Sequence, residues 1–320
     1  MLSVLFFFPA IDTFKPLRLM VPLLALLVVS FSATTGAEEI YPDISERSGY
    51  SSLGLGFELL KFEESISLEE QNGSGDTFKI DIESDYSGGN FAQRSWVFVA
   101  VNQLWGFYIG SGSTLSSLQH DETWNATVSN SAGDSLYSDL KIQTNTTTLT
   151  RNELSVLAVR AITGNHSFVF GARYNSISYK RFDFEAHATD IFTNLNTPDG
   201  DISEESTALI GQAGYEYNEF FTSEEAGWRT QFRAVVGIVL YNRVQNTERQ
   251  IADIIFDDSF NGYDLKATFS FGYQFNKHFM LALALDSHYQ SYDEIRQQNA
   301  SIPDNVFSYT QPSINALWSF

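Results

Sequence analysis

Two short groups of residues in this sequence have the types and spacing of catalytic side chains. Asp286 and His288 are separated by one residue, and His120, Asp121 and Glu122 are consecutive. In a β-strand, residues i and i+2 point to the same side, so Asp286 is expected beside His288, where its carboxylate would orient the imidazole as a general base. If the two groups face each other, they could activate a water molecule between them.

The segments that must position these groups alternate between apolar and polar residues. Odd positions from Tyr263 to Phe275 are apolar, whereas the even positions between them are small or polar, and the pattern repeats from Phe279 to Tyr289. Period 2 is typical of β-strands with two different faces. These segments are two to three times longer than the usual strand of about 5–6 residues. This length favours a membrane-spanning barrel over a soluble β-sandwich.

Ten segments of this kind are predicted as strands. They are 50–65, 91–103, 105–116, 147–161, 167–184, 204–218, 227–244, 261–275, 278–293 and 306–320. Short connections alternate with long, polar ones such as 117–146. The alternation predicts an all-β fold, a transmembrane antiparallel up-and-down β-barrel with short periplasmic turns and long extracellular loops. Segments 76–84 and 137–146 also alternate; they either extend hairpins above the membrane or raise the count to twelve strands.

The N-terminal residues are typical of an export signal. Lys15 and Arg18 precede the apolar stretch 20–31, and small residues follow it as far as Ala37. Charge, a short apolar core and small residues occur in this order in signal peptides. We therefore predict that residues 1–37 are a cleaved signal peptide and that 38–320 form one transmembrane β-barrel.

The C-terminal strand has an apolar face that ends at the last residue. Ile314, Trp318 and Phe320 share this face. The pattern resembles the C-terminal signal of bacterial outer-membrane barrels, in which a terminal Phe is recognised by the barrel assembly machinery. It predicts export through the periplasm to the outer membrane of a Gram-negative bacterium, with outer-membrane lipid and lipopolysaccharide as neighbours.

Charge and composition exclude several classes of function. The net charge of −20, from 39 acidic and 19 basic residues, argues against a nucleic-acid partner. The acidic residues either keep the loops solvated or attract cations and basic peptides. Cysteine is absent, so no thiolate nucleophile or disulfide is possible. The five histidines are scattered and no two have ligand spacing, so we predict no metal and no cofactor.

Strand parity assigns a set of ionisable residues to the inside of the barrel. Besides Asp286 and His288, the set contains Glu58, Arg151, Glu153, Arg173, Glu216, Arg229, Arg233, Asp264 and Lys266. A barrel of about ten strands has a narrow interior, because eight strands are already filled by side chains. The set therefore predicts an interlocked ion-pair network, with a narrow selective pore or ligand channel as the alternative.

The architecture resembles the omptin family, ten-stranded outer-membrane proteases with an Asp-Asp pair facing an Asp-x-His pair across the barrel mouth. Residues 121–124, Asp-Glu-Thr-Trp, stand where the family has Asp-x-Asp-Trp, with Thr123 in the second Asp position. The family's Asp-x-His follows strand seven, where residues 246–250 contain no histidine. The Asp286 and His288 pair lies on the ninth predicted strand instead.

Two functions follow from these patterns. The preferred prediction is a non-enzymatic outer-membrane barrel that acts as an adhesin, receptor, small channel or structural envelope protein. The resemblance implies the alternative, an omptin-like surface endopeptidase in which Asp121, Glu122, Asp286 and His288 surround an activated water.

Overall fold

A computed structural model describes residues 49–71, 77–187, 200–247, 254–297 and 300–320. The predicted signal peptide, 1–37, lies outside the described residues, as does the segment 38–48 that opens the predicted barrel domain. Within the described ranges, no helix is long and apolar enough to cross a membrane.

The described chain is built almost entirely of β-strands. In chain order they are β1 (Tyr50–Gln71), β2 (Thr77–Ala100), β3 (Trp105–Ser116), β4 (Gln119–Asn130), β5 (Ser135–Thr163), β6 (His166–Ala186), β7 (Ile202–Asn218), β8 (Gly227–Asn246), β9 (Ile255–Asp258), β10 (Gly262–Asn276), β11 (Phe279–Tyr292), β12 (Ile295–Gln297), β13 (Ala300–Ile302) and β14 (Asp304–Ser319).

Ten of these strands close into a ring. The order of hydrogen-bonded neighbours is β1, β14, β11, β10, β8, β7, β6, β5, β3 and β2, and β2 then pairs with β1. Every pair in the ring is antiparallel. The ring confirms the predicted ten-stranded antiparallel barrel, in which backbone groups are satisfied between strands and no edge is left unpaired.

Strand β4 continues β3 along the same two neighbours and adds no eleventh strand to the ring. β3 pairs with β2 as far as Phe91, and β4 resumes the pairing from Tyr86 to Phe78. The long loop predicted over 117–146 is therefore corrected to β4 and the first half of β5. Of the two alternatives for segments 76–84 and 137–146, the structure has extended hairpins.

The break between β3 and β4 is held by one buried side chain. Asn90 accepts a hydrogen bond from the Leu118 backbone N–H at 2.9 Å and donates to the Leu149 carbonyl at 2.7 Å. Asparagine supplies both a donor and an acceptor, so it replaces the ladder bonds that the interruption removes.

The two ends of the ring differ. The turn end carries the short connections 101–104, 164–165, 219–226 and 277–278. The loop end carries the extensions of β1, β2, β4, β5 and β6, together with β9, which pairs with the outer part of β8. β12 and β13 form a separate hairpin.

The two faces of the ring have opposite chemistry. On β11, Leu281, Leu283 and Leu285 are exposed, whereas Ala282 and Ala284 between them are buried. Exposed apolar residues of this kind follow all ten strands, and aromatics lie toward their ends, for example Trp105, Tyr174, Trp228, Tyr241, Phe275, Phe279, Tyr289 and Trp318. An outward apolar belt between aromatic girdles is the surface that a lipid bilayer requires.

Candidate functional site in the lumen and at its loop end

The inward side chains form successive layers, and the layer nearest the turn end is apolar. This lower apolar layer consists of Tyr50, Trp96, Phe98, Tyr108, Leu157, Val159, Val169, Phe220, Phe221, Val235, Met280, Ala282 and Leu317. The β7–β8 turn contributes Phe220 and Phe221. Asn218, at the start of the turn, donates to the hydroxyls of Tyr50 and Tyr108 at 2.8 and 2.9 Å. These hydrogen bonds attach the turn to β1 and β3, and its two phenylalanine rings pack in the lower apolar layer.

Above this layer lies a charged layer with equal numbers of cations and carboxylates. It contains Arg94, Arg151, Arg173, Arg233 and Lys266 with Glu58, Glu153, Glu216, Asp264 and Asp286. Arg151 Nε lies 3.0 Å from Glu58 Oε1, and its Nη1 lies 2.8 Å from Glu153 Oε2. Six of these ten groups are buried and the side chains of the other four are at most 18% exposed, so each charge depends on its partner to offset the loss of water.

The structure brings eight of the nine further ionisable residues predicted for the lumen into this layer. Arg229 differs: it lies near the start of β8, beside the β7–β8 turn, and its Nη2 donates to the Glu225 carbonyl at 2.9 Å. Arg94 was missed by sequence reasoning, although it shares its strand face with the buried Trp96 and Phe98.

The structure places Asp286 and His288 in the charged layer, each with partners on other strands. Asp286 forms an ion pair with Arg94 and accepts a hydrogen bond from Thr268 at 2.6 Å. His288 Nε2 lies 2.5 Å from Asp264 Oδ2 and 2.8 Å from Arg173 Nη2. The carboxylate that contacts the imidazole is therefore Asp264 across the strand pair, and not Asp286 two residues away.

A second apolar layer covers the charged layer on the side of the loop end. This upper apolar layer consists of Leu60, Phe62, Tyr86, Leu149, Ile177, Tyr179, Phe307 and Tyr309. The ring centroid of Tyr309 lies 4.2 Å from the guanidinium carbon of Arg151. This cation–π contact joins the two layers.

Next to the upper apolar layer, and sharing Tyr179 with it, lies a buried group that we call the outer ion cluster: Glu64, Glu122, Tyr179, Arg181, Glu204 and Asn246. Arg181 lies between two carboxylates, with Nε 2.7 Å from Glu122 Oε2 and Nη2 2.5 Å from Glu64 Oε2. Sequence reasoning proposed Glu122 alone of these six residues. The others lie near predicted strand ends, where parity says little about which groups meet.

Glu122 is a buried carboxylate held in its charged form. It accepts hydrogen bonds from Asn145 at 2.7 Å and Thr147 at 2.9 Å in addition to those from Arg181. Burial opposes the charged form, but Arg181 and these donors outweigh it, so the pKa of Glu122 is lowered below its usual value. The adjacent Asp121 points to the opposite face and is exposed.

Glu204 is the carboxyl of the cluster that is poised to take up a proton. The Tyr179 hydroxyl lies 3.1 Å from Glu64 Oε1 and also contacts Glu204 Oε1. One hydroxyl proton cannot serve two carboxylates at once, so both contacts are satisfied only when one of the two carboxyls carries a proton. Burial, followed by the charge of Glu64, raises the pKa of Glu204 to about 7.

Protonation of Glu204 is expected to make stability depend on pH. Because its pKa is higher in the folded chain than in the unfolded chain, its contribution is complete below the unfolded value of about 4.3 and is lost as pH rises through about 7. We expect wild-type protein to lose urea resistance between pH 5 and pH 8 relative to the Glu204→Gln variant. Glu205→Gln, at the exposed neighbouring position, is the control and should follow wild type. Parallel pH profiles for wild type and Glu204→Gln would contradict the expectation.

The four residues proposed for an activated water lie at two different levels. Cross-strand pairing connects Glu122 with Tyr86, Tyr86 with Phe62, Phe62 with Phe307, and Phe307 with Gln290. Gln290 is two residues beyond His288 and four beyond Asp286 on β11. Three strands, β2, β1 and β14, also separate β4 from β11 in the sheet. Glu122 therefore contacts Arg181, whereas Asp286 contacts Arg94 and His288 contacts Arg173.

Comparisons with known proteins were made for sequence and for structure. No protein-family model and no curated protein matches the chain. Among solved structures, the outer-membrane protease OmpT from Escherichia coli matches with a TM-score of 0.51 at 11% identity, over 90% of this chain and 100% of that chain. The fold is that of an outer-membrane β-barrel. OprG from Pseudomonas aeruginosa also matches, with a TM-score of 0.30 at 10% identity, over 86% of this chain and 97% of that chain.

At this level of identity the similarity to OmpT extends to the fold alone. The chemistry of the barrel has to be inferred from its own residues. In the described part of the chain, no group of three or more His, Asp or Glu side chains is placed to hold a metal ion. The candidate site is therefore the set of lumen layers together with the outer ion cluster and the sheet above it.

Proposed function

We propose that the chain is an outer-membrane barrel that is closed to ions and acts from its loop end, as a surface receptor or adhesin. The filled lumen carries this proposal. In the orientation usual for such barrels, the turn end faces the periplasm and the loop end faces outward. The apolar belt then contacts membrane lipid and lipopolysaccharide.

The layers argue against a conducting pore. An ion that entered the charged layer would first have to cross an apolar layer, at either end, without its hydration shell. Apolar constrictions of this kind exclude ions because desolvation is too costly. The charged layer between them is internally neutral, with its groups engaged in ion pairs rather than lining an open path.

The length of the strands supports a function at the loop end. β1, β2 and β5 have 22, 24 and 29 residues, whereas a tilted strand needs about 9–11 residues to cross the apolar core of a membrane. Their outer halves form a sheet with β4, and its inward face packs around Ile80, Ala126, Val128 and Ile142. The extension is therefore a folded platform with its own apolar core.

The outward face of this platform favours a basic partner. Glu83, Asp85 and Asp121 are exposed on it. Glu63 stands directly opposite Asp85 across the β1–β2 pair, and Lys61 is the cation that contacts Glu63. These four carboxylates outnumber the lysine, so a cationic ligand would gain favourable contacts, and the net charge of −20 would speed its approach.

No observation favours the alternative of an omptin-like endopeptidase. That mechanism needs Asp286 and His288 beside Asp121 or Glu122. Among the described residues, Asp286 instead forms an ion pair with Arg94, and Glu122 forms one with Arg181.

Reconstitution tests both parts of the proposal. In a planar bilayer, we expect the full-length protein to be silent under conditions in which a wide-pore porin in the same lipid shows discrete conductance steps. Vesicles that carry the protein should bind a fluorescent oligolysine, less so at high salt because exposed charges are screened. Single-channel steps from the protein itself would overturn the closed-lumen part.

Matched variants locate the binding surface. The triple variant Glu83→Gln, Asp85→Asn, Asp121→Asn should lose most of the oligolysine binding. The control Glu224→Gln, Glu225→Gln changes exposed acids on the β7–β8 turn at the opposite end and should retain it. Equal binding by the two variants would contradict a platform-based receptor.

A further inference from the structure

The charged layer lines a cavity that the proposed function does not use. Its volume is about 50 Å³, several times the roughly 10–15 Å³ that one water molecule needs. The cations that line it are Arg94, Arg173, Arg233 and Lys266, and Glu153 is the one carboxylate among its described lining residues.

The carboxylates around this cavity are already engaged by side chains of the walls. Glu153 is contacted by Lys266 at 2.6 Å and by Arg151 at 2.8 Å. Asp264 contacts Arg173 and accepts a hydrogen bond from Gln212 at 2.9 Å. The acceptors near the cavity are therefore largely used by neighbours within the layer.

Several cationic donors, in contrast, have unused hydrogens. Arg173 Nε and Nη1 and Arg233 Nε are buried and have no hydrogen-bond partner among the described residues. The side chain of Arg173 is 1% exposed. A buried, charged donor without a partner is more costly than a neutral one, so an acceptor next to Arg173 and Arg233 would stabilise the layer.

We propose that this cavity binds one small monovalent anion of halide size, chloride in a physiological medium. An anion accepts from several guanidinium and ammonium groups at once and needs no acceptor in return, whereas a water molecule also has to place its own two hydrogens. The lining itself carries four cations and one carboxylate, so the wall of the cavity is cationic. A single negative charge is the least that the layer has to accommodate, because its five cations already face five carboxylates.

The site predicts when the anion enters. The lower and upper apolar layers lie on either side of the charged layer, so we expect the anion to enter as the barrel folds. It acts as a shared acceptor for the free donors of Arg173 and Arg233. This role is independent of any ligand of the platform.

Bromide is the probe that tests the site, because its anomalous scattering distinguishes it from water. Full-length protein refolded in sodium bromide and crystallised should show an anomalous peak within hydrogen-bond distance of Arg173 and Arg233. Crystals whose cavity holds only water, with bromide absent or confined to the surface, would overturn the proposal.

A stability measurement gives a second readout with matched variants. Wild type refolded in bromide should have a higher urea midpoint than wild type refolded in gluconate at equal ionic strength, since a ligand that binds only the folded state stabilises it. The charge-neutral double variant Arg173→Met, Asp264→Asn should lose this difference. Lys180→Met, Asp201→Asn removes an exposed pair of the same kind and should keep it.

The remaining outcomes are also decisive. Equal midpoints of wild type in the two salts would overturn the proposal, and so would a bromide effect that persists in the Arg173 double variant. If that double variant does not refold, Arg233→Met with Glu216→Gln removes the second free donor and is expected to abolish the same difference.

Discussion

Replacing Arg151 with methionine is expected to lower the free energy of unfolding of the barrel by about 3–5 kcal/mol. The Arg151 side chain is 1% exposed, contacts both Glu58 and Glu153, and lies against the ring of Tyr309. Methionine fills much of the space but leaves Glu58 buried without its cation. The measurement is a urea titration of refolding into lipid vesicles, followed by Trp fluorescence.

A paired variant separates the lost charge from the lost volume. Glu58→Gln with Arg151→Met leaves no unpaired carboxylate at position 58 and should recover most of the lost stability. Lys180→Met is the control at an exposed pair with Asp201, where we expect a change of about 0–1 kcal/mol. An Arg151→Met variant as stable as this control would show that the charged layer does not hold the barrel together.

Replacing Arg181 with methionine is expected to open the loop end while the ring stays folded. Arg181 stands between Glu64 and Glu122 and stacks on Tyr179 at 4.7 Å. Without it, buried carboxylates face each other uncompensated, which costs about 3–5 kcal/mol. This cost falls on the platform, because its strands extend past the ring and can open locally.

Hydrogen exchange followed by mass spectrometry checks this expectation. Peptides from β4 and from the outer halves of β1 and β6 should exchange faster in Arg181→Met, whereas peptides from β10 and β11 should not change. Arg181→Lys keeps the charge but loses the planar fork that reaches both carboxylates, so it should show an intermediate effect. Unchanged protection of β4 in Arg181→Met would contradict a role for the outer ion cluster in holding the platform.

The positions of the strands were largely predictable because alternation is a local property. The exposed Leu281, Leu283 and Leu285 and the buried Asp264 and Asp286 lie on the faces that parity assigned to them. The prediction failed over 117–146, where β4 and the start of β5 are rich in Thr, Asn, Ser and Asp. That hairpin extends beyond the apolar belt, so lipid does not require an apolar residue at every second position of its outward face.

The partners of the inward residues were not predictable. Parity placed Asp286 and His288 on one face, but it could not show that Arg94 would meet the first and Asp264 and Arg173 the second. Arg94 lies 192 positions from Asp286 along the chain. Contacts across the lumen depend on the tilt and stagger of all ten strands, and no local pattern records either quantity.

The sequence by itself therefore determined the class of fold, a ring of ten or twelve strands and the face on which most charged residues lie. These follow from period 2 and from the requirement that a lipid-facing strand be apolar on one side. Only the tertiary structure decided that the lumen is layered and that its charges pair across the ring around a cavity. It also decided that Glu122 forms an ion pair with an arginine rather than facing a histidine. Those outcomes depend on which strands stand opposite each other once the ring is closed.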